Sequence, residues 1–257
     1  MRHWLSAIAA LTIVLVGSPS VRAQEALTVS IVSRGDDGFA ELIAQFEAET
    51  GRTVNLTFPN YVGSRDVVVN GEPFDLAIVE FPHDADVVAS GNVDPASATL
   101  VASGWMGLAV RKGAPKPDIS TPAAVKRTML AAESIAYPDP EGGTSASGRN
   151  IEDMLRRLGI ADEMAAKTTH TRGGRRAMAA AASGDVEIGM TMHIGMYGND
   201  DIDIVGTLPG EISPPGGLIA FISSTTTQAA AARELLAFLT SPEAAPVYRK
   251  YLLEPAY

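Results

Sequence analysis

The chain has 257 residues, 46% of them hydrophobic and 19% charged, with 24 glycines, 16 prolines and no cysteine. That length and composition suit one large or two medium globular units and exclude a disordered or collagen-like chain. A formal charge of −10, from 20 basic and 30 acidic residues, speaks against a nucleic-acid partner, and the missing cysteines exclude a disulfide framework, a thiolate metal site and a cysteine nucleophile.

The first residues, Met1-Arg2-His3-Trp4, a largely apolar run from Leu5 to Val16 and a small-residue exit ending at Ala23, have the form of a cleavable secretory signal peptide. A membrane span needs about 20 apolar residues, more than this run supplies. Residues 1–23 are therefore expected to leave on export to the periplasm. Arg2 and Arg22 leave with them, so the mature chain carries 18 basic and 30 acidic residues, a charge of −12.

From there, short β-rich runs alternate with amphipathic stretches. Leu27–Val32 reads as a strand. Phe39–Thr50 reads as a helix with Phe39, Leu42, Ile43 and Phe46 on one face, ended by Gly51 in the left-handed region. Thr53–Phe58 and Phe74–Val79 are two further strands, the latter with the continuous apolar character of a buried parallel strand. A second cycle follows Trp105–Val110: a strand at Ser134–Tyr137, a helix at Gly148–Leu158, a helix at Arg175–Ser183 and strands at Glu187–Met192 and Asp203–Val205. A strand at Gly217–Ile222, a helix at Thr227–Leu239 and a last helix opened by Ser241-Pro242-Glu243 complete the pattern. Strands joined by helices on this spacing predict an α/β fold with mainly parallel sheets. No internal repeat is visible.

The segment richest in chemistry runs from Asp139 to Arg149, with three glycines and the hydroxyls of Thr144, Ser145 and Ser147 between a strand and a helix. Such a turn lets backbone N–H groups converge at a helix N-terminus, whose partial positive charge favours an anion. The simpler reading is that Ser147 or Thr144 caps the helix. No Gly-Lys-Ser/Thr follows, so it is not a P-loop.

Several strings, taken together, resemble the molybdate-binding-protein-like group of type 2 periplasmic solute-binding proteins. They are Ala109–Pro122, Asp139-Pro140, Gly142–Ser145, Leu158–Asp162, Gly184–Gly189, Ile204-Val205-Gly206, Leu208-Pro209 and Ala237–Ala245. Phe58, Arg65-Asp66, Gly71-Glu72-Pro73 and Asp75 match in the first half. The resemblance implies a two-lobed protein that closes over a ligand and delivers it to an ABC permease. Lobe one would combine 24–106 with 219–257, and lobe two would span 107–218, with hinge strands near Ser103–Val110 and Gly217–Ser223. It implies ligand contacts from Ser33 and Arg34 after the first strand, Asn60 and Tyr61 after the second, Thr144, Ser145 and Ser147, Arg175 at a helix start, and Met192 with His193.

The ligand loops depart from the molybdate pattern. Ser33-Arg34-Gly35-Asp36-Asp37 replaces a small turn, Pro59-Asn60-Tyr61 replaces a serine-containing one, and Met192 stands where a molybdate binder has tyrosine. Arginines recognise carboxylate or phosphate bidentately, so a small organic anion fits this loop set better than a tetrahedral oxyanion. Asp36 and Asp37 read as caps of a helix starting at Gly38, and His83 with Asp84 and Asp86 reads as a solvated acidic loop. No metal or cofactor is expected, and the protein is expected to be a monomer. The alternative is an aconitate-isomerase-like enzyme on the same scaffold, with His193 or Asp36 as the general base.

Overall fold

The computed structural model describes residues 25–32, 36–59, 61–81, 84–142 and 146–256. The expected signal peptide lies outside them, as do Ser33, Arg34, Asn60, His83, Thr144 and Ser145, and the side chains of Asp36, Asp37 and Tyr61.

The first βα cycles follow from the apolar patterning. β1 (Leu27–Ile31) leads to α1 (Asp36–Thr50), β2 (Val54–Thr57), α2 (Tyr61–Val69), β3 (Leu76–Glu80), α3 (Asp84–Ala89) and β4 (Thr99–Gly104). α1 starts two residues before the expected Gly38. Its four apolar residues, Phe39, Leu42, Ile43 and Phe46, are all buried, each contributing about 1.5–3 kcal/mol. Gly51 ends the helix at φ +69 and donates its N–H to Glu47 O at 2.9 Å, the left-handed stop read from the sequence. All five residues of β3 are buried.

The chain then enters a second unit through β5 (Met106–Arg111), α4 (Pro122–Ala131), β6 (Ile135–Pro138), α5 (Ser147–Arg157), α6 (Ala161–Ala165), β7 (Thr168–Thr171), α7 (Gly174–Ser183), β8 (Ile188–Met192) and β9 (Ile202–Thr207). It returns through β10 (Gly216–Ile222), α8 (Ala229–Leu239), α9 (Ala245–Lys250) and β11 (Glu254–Pro255). Pro242 opens a 3-10 turn just before α9, at the tolerated first position.

Two sheets result, in the orders β11-β4-β10-β3-β1-β2 and β7-β6-β8-β5-β9. Parallel pairing holds among β1, β2 and β3 and among β6, β7 and β8. The strands that cross between units add antiparallel pairs, so both sheets are mixed. The two orders are the same pattern. In each, a central strand lies between its two successors, and next comes the strand that has just arrived from the other unit.

Each sheet is covered on both faces. In the first, α1, α8 and α9 pack on one side, with Leu235, Leu239, Val247 and Tyr248 buried. Val68, Phe74, Val87 and Phe221 fill the other. In the second, Met106, Leu108 and Val110 face Met129, Ile151, Met154 and Leu155. Ala109 and Ala136 face Ala177, Met178 and Ala181 of α7. The alanine-rich tract of the sequence is thus the face on which α7 lies close to its sheet. The chain changes sheet at Trp105 and again between Thr207 and Gly216. β10 pairs with β4 from Gly216 onward. Among the described residues no helix is long and apolar enough to cross a membrane.

Candidate ligand site between the lobes

The carboxyl ends of the parallel strands in both sheets point toward the crossings. β3 ends at Glu80, paired with Leu218 just inside the second crossing, and β8 ends at Met192, paired with Met106 just after the first. In open α/β sheets this carboxyl end is where ligands bind. β1, β2, β6 and β7, the strands before α1, α2, α5 and α7, run parallel to these and end on the same side.

In lobe two, the N-termini of α5 and α7 converge on Thr191, a buried residue of β8. Their N-cap residues are Ala146 and Gly173, which carry no capping side chain. A Cβ on Gly174, the first residue of α7, would lie well inside van der Waals contact with Thr191 Oγ1. A Cβ on Gly148 would collide with the carbonyl oxygen of Pro138 and fall 2.9 Å from the Asp139 carbonyl carbon. Glycine at these two positions is what lets the first turns of α5 and α7 approach the ends of β6 and β8 so closely. The positive ends of the two helix dipoles meet this point, with Arg149 and Arg175 in the first turns.

Ser147 does not cap α5. Its hydroxyl is fully buried, accepts from Met192 N at 3.2 Å and from Thr191 Oγ1 at 3.4 Å, and so ties α5 to the end of β8. The Asp139 carboxylate holds the described start of the preceding turn, residues 139–142. That carboxylate accepts from Glu141 N at 3.0 Å and is held below its ordinary range first by that N–H and then by the N–H of Gly142. Arg149 donates to Pro140 O at 3.1 Å and braces the turn.

Met192 is completely buried, and its side chain fills the crossing: a Cβ on Gly104 would fall 2.5 Å from its Sδ and one on Gly216 3.2 Å from its Cε. It lies between strands of opposite lobes. His193 donates its backbone N–H to Trp105 O at 2.7 Å. Its ring lies against β5, with Cδ2 3.3 Å from where a Gly107 Cβ would sit. Its Nε2 is buried and makes no hydrogen bond to the described residues, and burial lowers its pKa below 6.5. Arg175 is exposed at the second residue of α7.

In lobe one, Tyr61 opens α2, and Glu80 is a fully buried carboxylate at the end of β3. Glu80 and Thr191 were not among the expected site residues. An acid ending an otherwise apolar strand signals the first in the sequence, whereas nothing local marks the second. A separate pocket of about 370 Å³ lies at the far end of β10, lined by Asp94, Ser223, Thr226 and Arg233 among others. It is remote from the carboxyl ends, and the strand-end geometry is the better guide to the ligand site.

The lobes touch. Ala146, at the start of α5, packs in the apolar cluster of lobe one, and Ile194 packs against the cores of both lobes.

Residues 30–252 match the model of a family described as bacterial extracellular solute-binding protein. The chain belongs to this family. It is 28% identical over 251 residues to an aconitate isomerase of Pseudomonas sp, covering 95% of this chain and 94% of that one. It is 25% identical over 212 residues to the molybdate-binding protein ModA of Rhodobacter capsulatus, covering 82% and 81%. Among solved structures, the periplasmic molybdate-binding protein of Azotobacter vinelandii superposes with a TM-score of 0.71 at 19% identity, over 90% of this chain and 100% of that one. That likeness establishes a shared two-lobed fold.

Proposed function

We propose that this solute-binding protein is exported to the periplasm by residues 1–23 and captures a small anion between its lobes for an ABC permease, acting as a monomer. The observation that carries the reading is the approach of two helix N-termini, those of α5 and α7, to Thr191 near the carboxyl end of β8. An acidic protein can hold an anion there because helix-end backbone donors, aided by local arginines, outweigh the global charge at short range. Around this point the reading places Ser33, Arg34, Asn60, Tyr61, Thr144, Ser145 and Arg175 as side-chain contacts. Ser147 and Met192 then hold the site's shape rather than meeting the ligand. We assign the lobes by the two crossings, at Trp105 and between Thr207 and Gly216.

A thermal-shift panel of oxyanions, di- and tricarboxylates and phosphate esters tests this. A ligand at about 100 times its Kd stabilises the native state by about 2.7 kcal/mol, and silence across the panel would remove the anion reading.

The identity to an aconitate isomerase over 95% of the chain supports a second reading, isomerisation of a bound tricarboxylate. His193 is the candidate base, and its lowered pKa keeps the imidazole neutral at pH 7, as proton abstraction requires. Deuterium incorporation from D2O into added aconitate, lost in His193→Ala, would establish this activity. Absence of exchange leaves binding as the whole activity.

A further inference from the structure

One interlobe contact differs in kind from the ligand site. Tyr197 follows the 3-10 turn His193–Met196 at the end of β8 and so belongs to lobe two. Tyr251 follows α9 in lobe one. Their ring centroids are 4.7 Å apart with planes inclined at 54°, within the range of favourable aromatic pairs.

The two rings are held very differently. Tyr251 is fixed from several sides. Its hydroxyl donates to Glu41 Oε2 at 2.9 Å, and Lys250 Nζ donates to the same oxygen at 2.6 Å while standing 5.0 Å from the ring centre. Gly38, at the start of α1, leaves room for the ring, since a Cβ there would come within 3.1 Å of it. The next residue, Leu252, has φ +62, the one positive value at a non-glycine position among the described residues, and turns the chain back toward β11. Tyr197 by contrast is 41% exposed. Its contact with Tyr251 is one of ring packing alone.

We propose that Tyr251 is a preformed platform and Tyr197 its movable partner, together an interlobe clasp that biases the ligand-free protein toward the closed form. The clasp presses on the N-terminal turn of α1, which borders the ligand site, so closure and the shape of that site are coupled through Tyr251. Ala146 and Ile194 add apolar contact across the same gap. An aromatic pair of this kind is worth a shift of about 2- to 10-fold in the open-to-closed ratio. The inference goes beyond the anion reading and holds for any ligand the cleft takes.

The chain has no cysteine, so two introduced thiols label cleanly. Glu49→Cys on α1 and Glu163→Cys on α6, both exposed positions, carry spin labels for a pulsed-dipolar distance measurement on ligand-free protein. Tyr197→Ala raises the ratio of long-distance, open to closed molecules about 2- to 10-fold. Tyr197→Phe leaves it unchanged, because the contact uses the ring and not the hydroxyl. Glu41→Gln, which loosens the platform without touching Tyr197, shifts the distribution in the same direction by less. Identical distributions for Tyr197→Ala and the parent overturn the proposal, as does a Tyr197→Phe variant that opens as far as the alanine one. Because no ligand is present, failure of the anion panel and failure of the clasp are read separately.

Discussion

Replacing Gly148 by alanine tests the geometry on which the site depends. The new Cβ would lie 2.9 Å from the carbonyl carbon and oxygen of Asp139 and nearer still to Pro138 O, all backbone atoms at the end of β6. Carbon needs about 3.5 Å from such neighbours, so the first turn of α5 must retreat by roughly 0.5–1 Å. That retreat stretches the bond from Met192 N to Ser147 Oγ, already 3.2 Å, past the useful limit. Overpacking of this type costs about 1–3 kcal/mol, and in a chain of this size each kcal/mol lowers Tm by about 2–4 °C. The expected drop is therefore about 2–12 °C in a thermal melt. Affinity for the anion found in the panel should fall about 10- to 100-fold, the loss of one charge-assisted hydrogen bond. Gly142→Ala is the control, since its Cβ meets only the flexible Asp139 Oδ2, at 2.9 Å. If Gly148→Ala melts within about 1 °C of the parent and binds as tightly, the close approach of α5 to β6 is not what shapes the site, and the reasoning fails.

Ser147→Ala leaves the buried N–H of Met192 without its acceptor, and chemical denaturation should show a loss of about 1–3 kcal/mol. Asp75→Asn should be as costly, about 1–3 kcal/mol by the same assay. Asp75 accepts from Thr28 N at 2.8 Å, from Thr226 Oγ1 and from Gln228 Nε2 at 3.3 Å, and an amide has one acceptor oxygen where the carboxylate has two. Stability should also fall as pH drops below about 6.5, because the unfolded chain takes up a proton at His193 before the folded one, whose pKa is lowered by burial. The fall levels off below the folded pKa. In His193→Gln that part of the slope disappears from melts recorded between pH 7 and pH 5, and an unchanged slope would remove His193 as its source.

Much of lobe one's frame was legible because its signals are local. Four apolar residues at helical spacing mark α1, an unbroken apolar run marks β3, and Gly51 marks a stop. α2 was missed because Tyr61–Val69 mixes glycine, serine, arginine and aspartate into a short helix with no sustained stripe. β7 was missed because Thr168–Thr171 is a polar, part-exposed edge strand whose ladder bonds, not its composition, make it one.

The loop at 139–149 stands out in the sequence by its glycines and hydroxyls, but the part played by Ser147 was not legible. Whether a serine at a helix start caps it or reaches a neighbouring strand depends on what that strand presents, and here β8 presents the Met192 N–H. The Tyr197–Tyr251 contact has the same character. Nothing near either tyrosine announces the other, and the pairing exists because two lobes meet.

By itself the sequence determined the class of the chain: an acidic α/β protein without cysteine chemistry, resembling the solute-binding proteins. Apart from the resemblance, these follow from composition and from periodicities of a few residues, which neighbours along the chain impose on one another. Only the tertiary structure decided that both sheets share one strand order, although no sequence repeat marks it. It alone decided that α5 and α7 both begin at Thr191, that Met192 fills the crossing and that the lobes meet through tyrosines. The reason is physical: each of these joins residues tens of positions apart, where burial and close approach, rather than local propensity, determine what a side chain does.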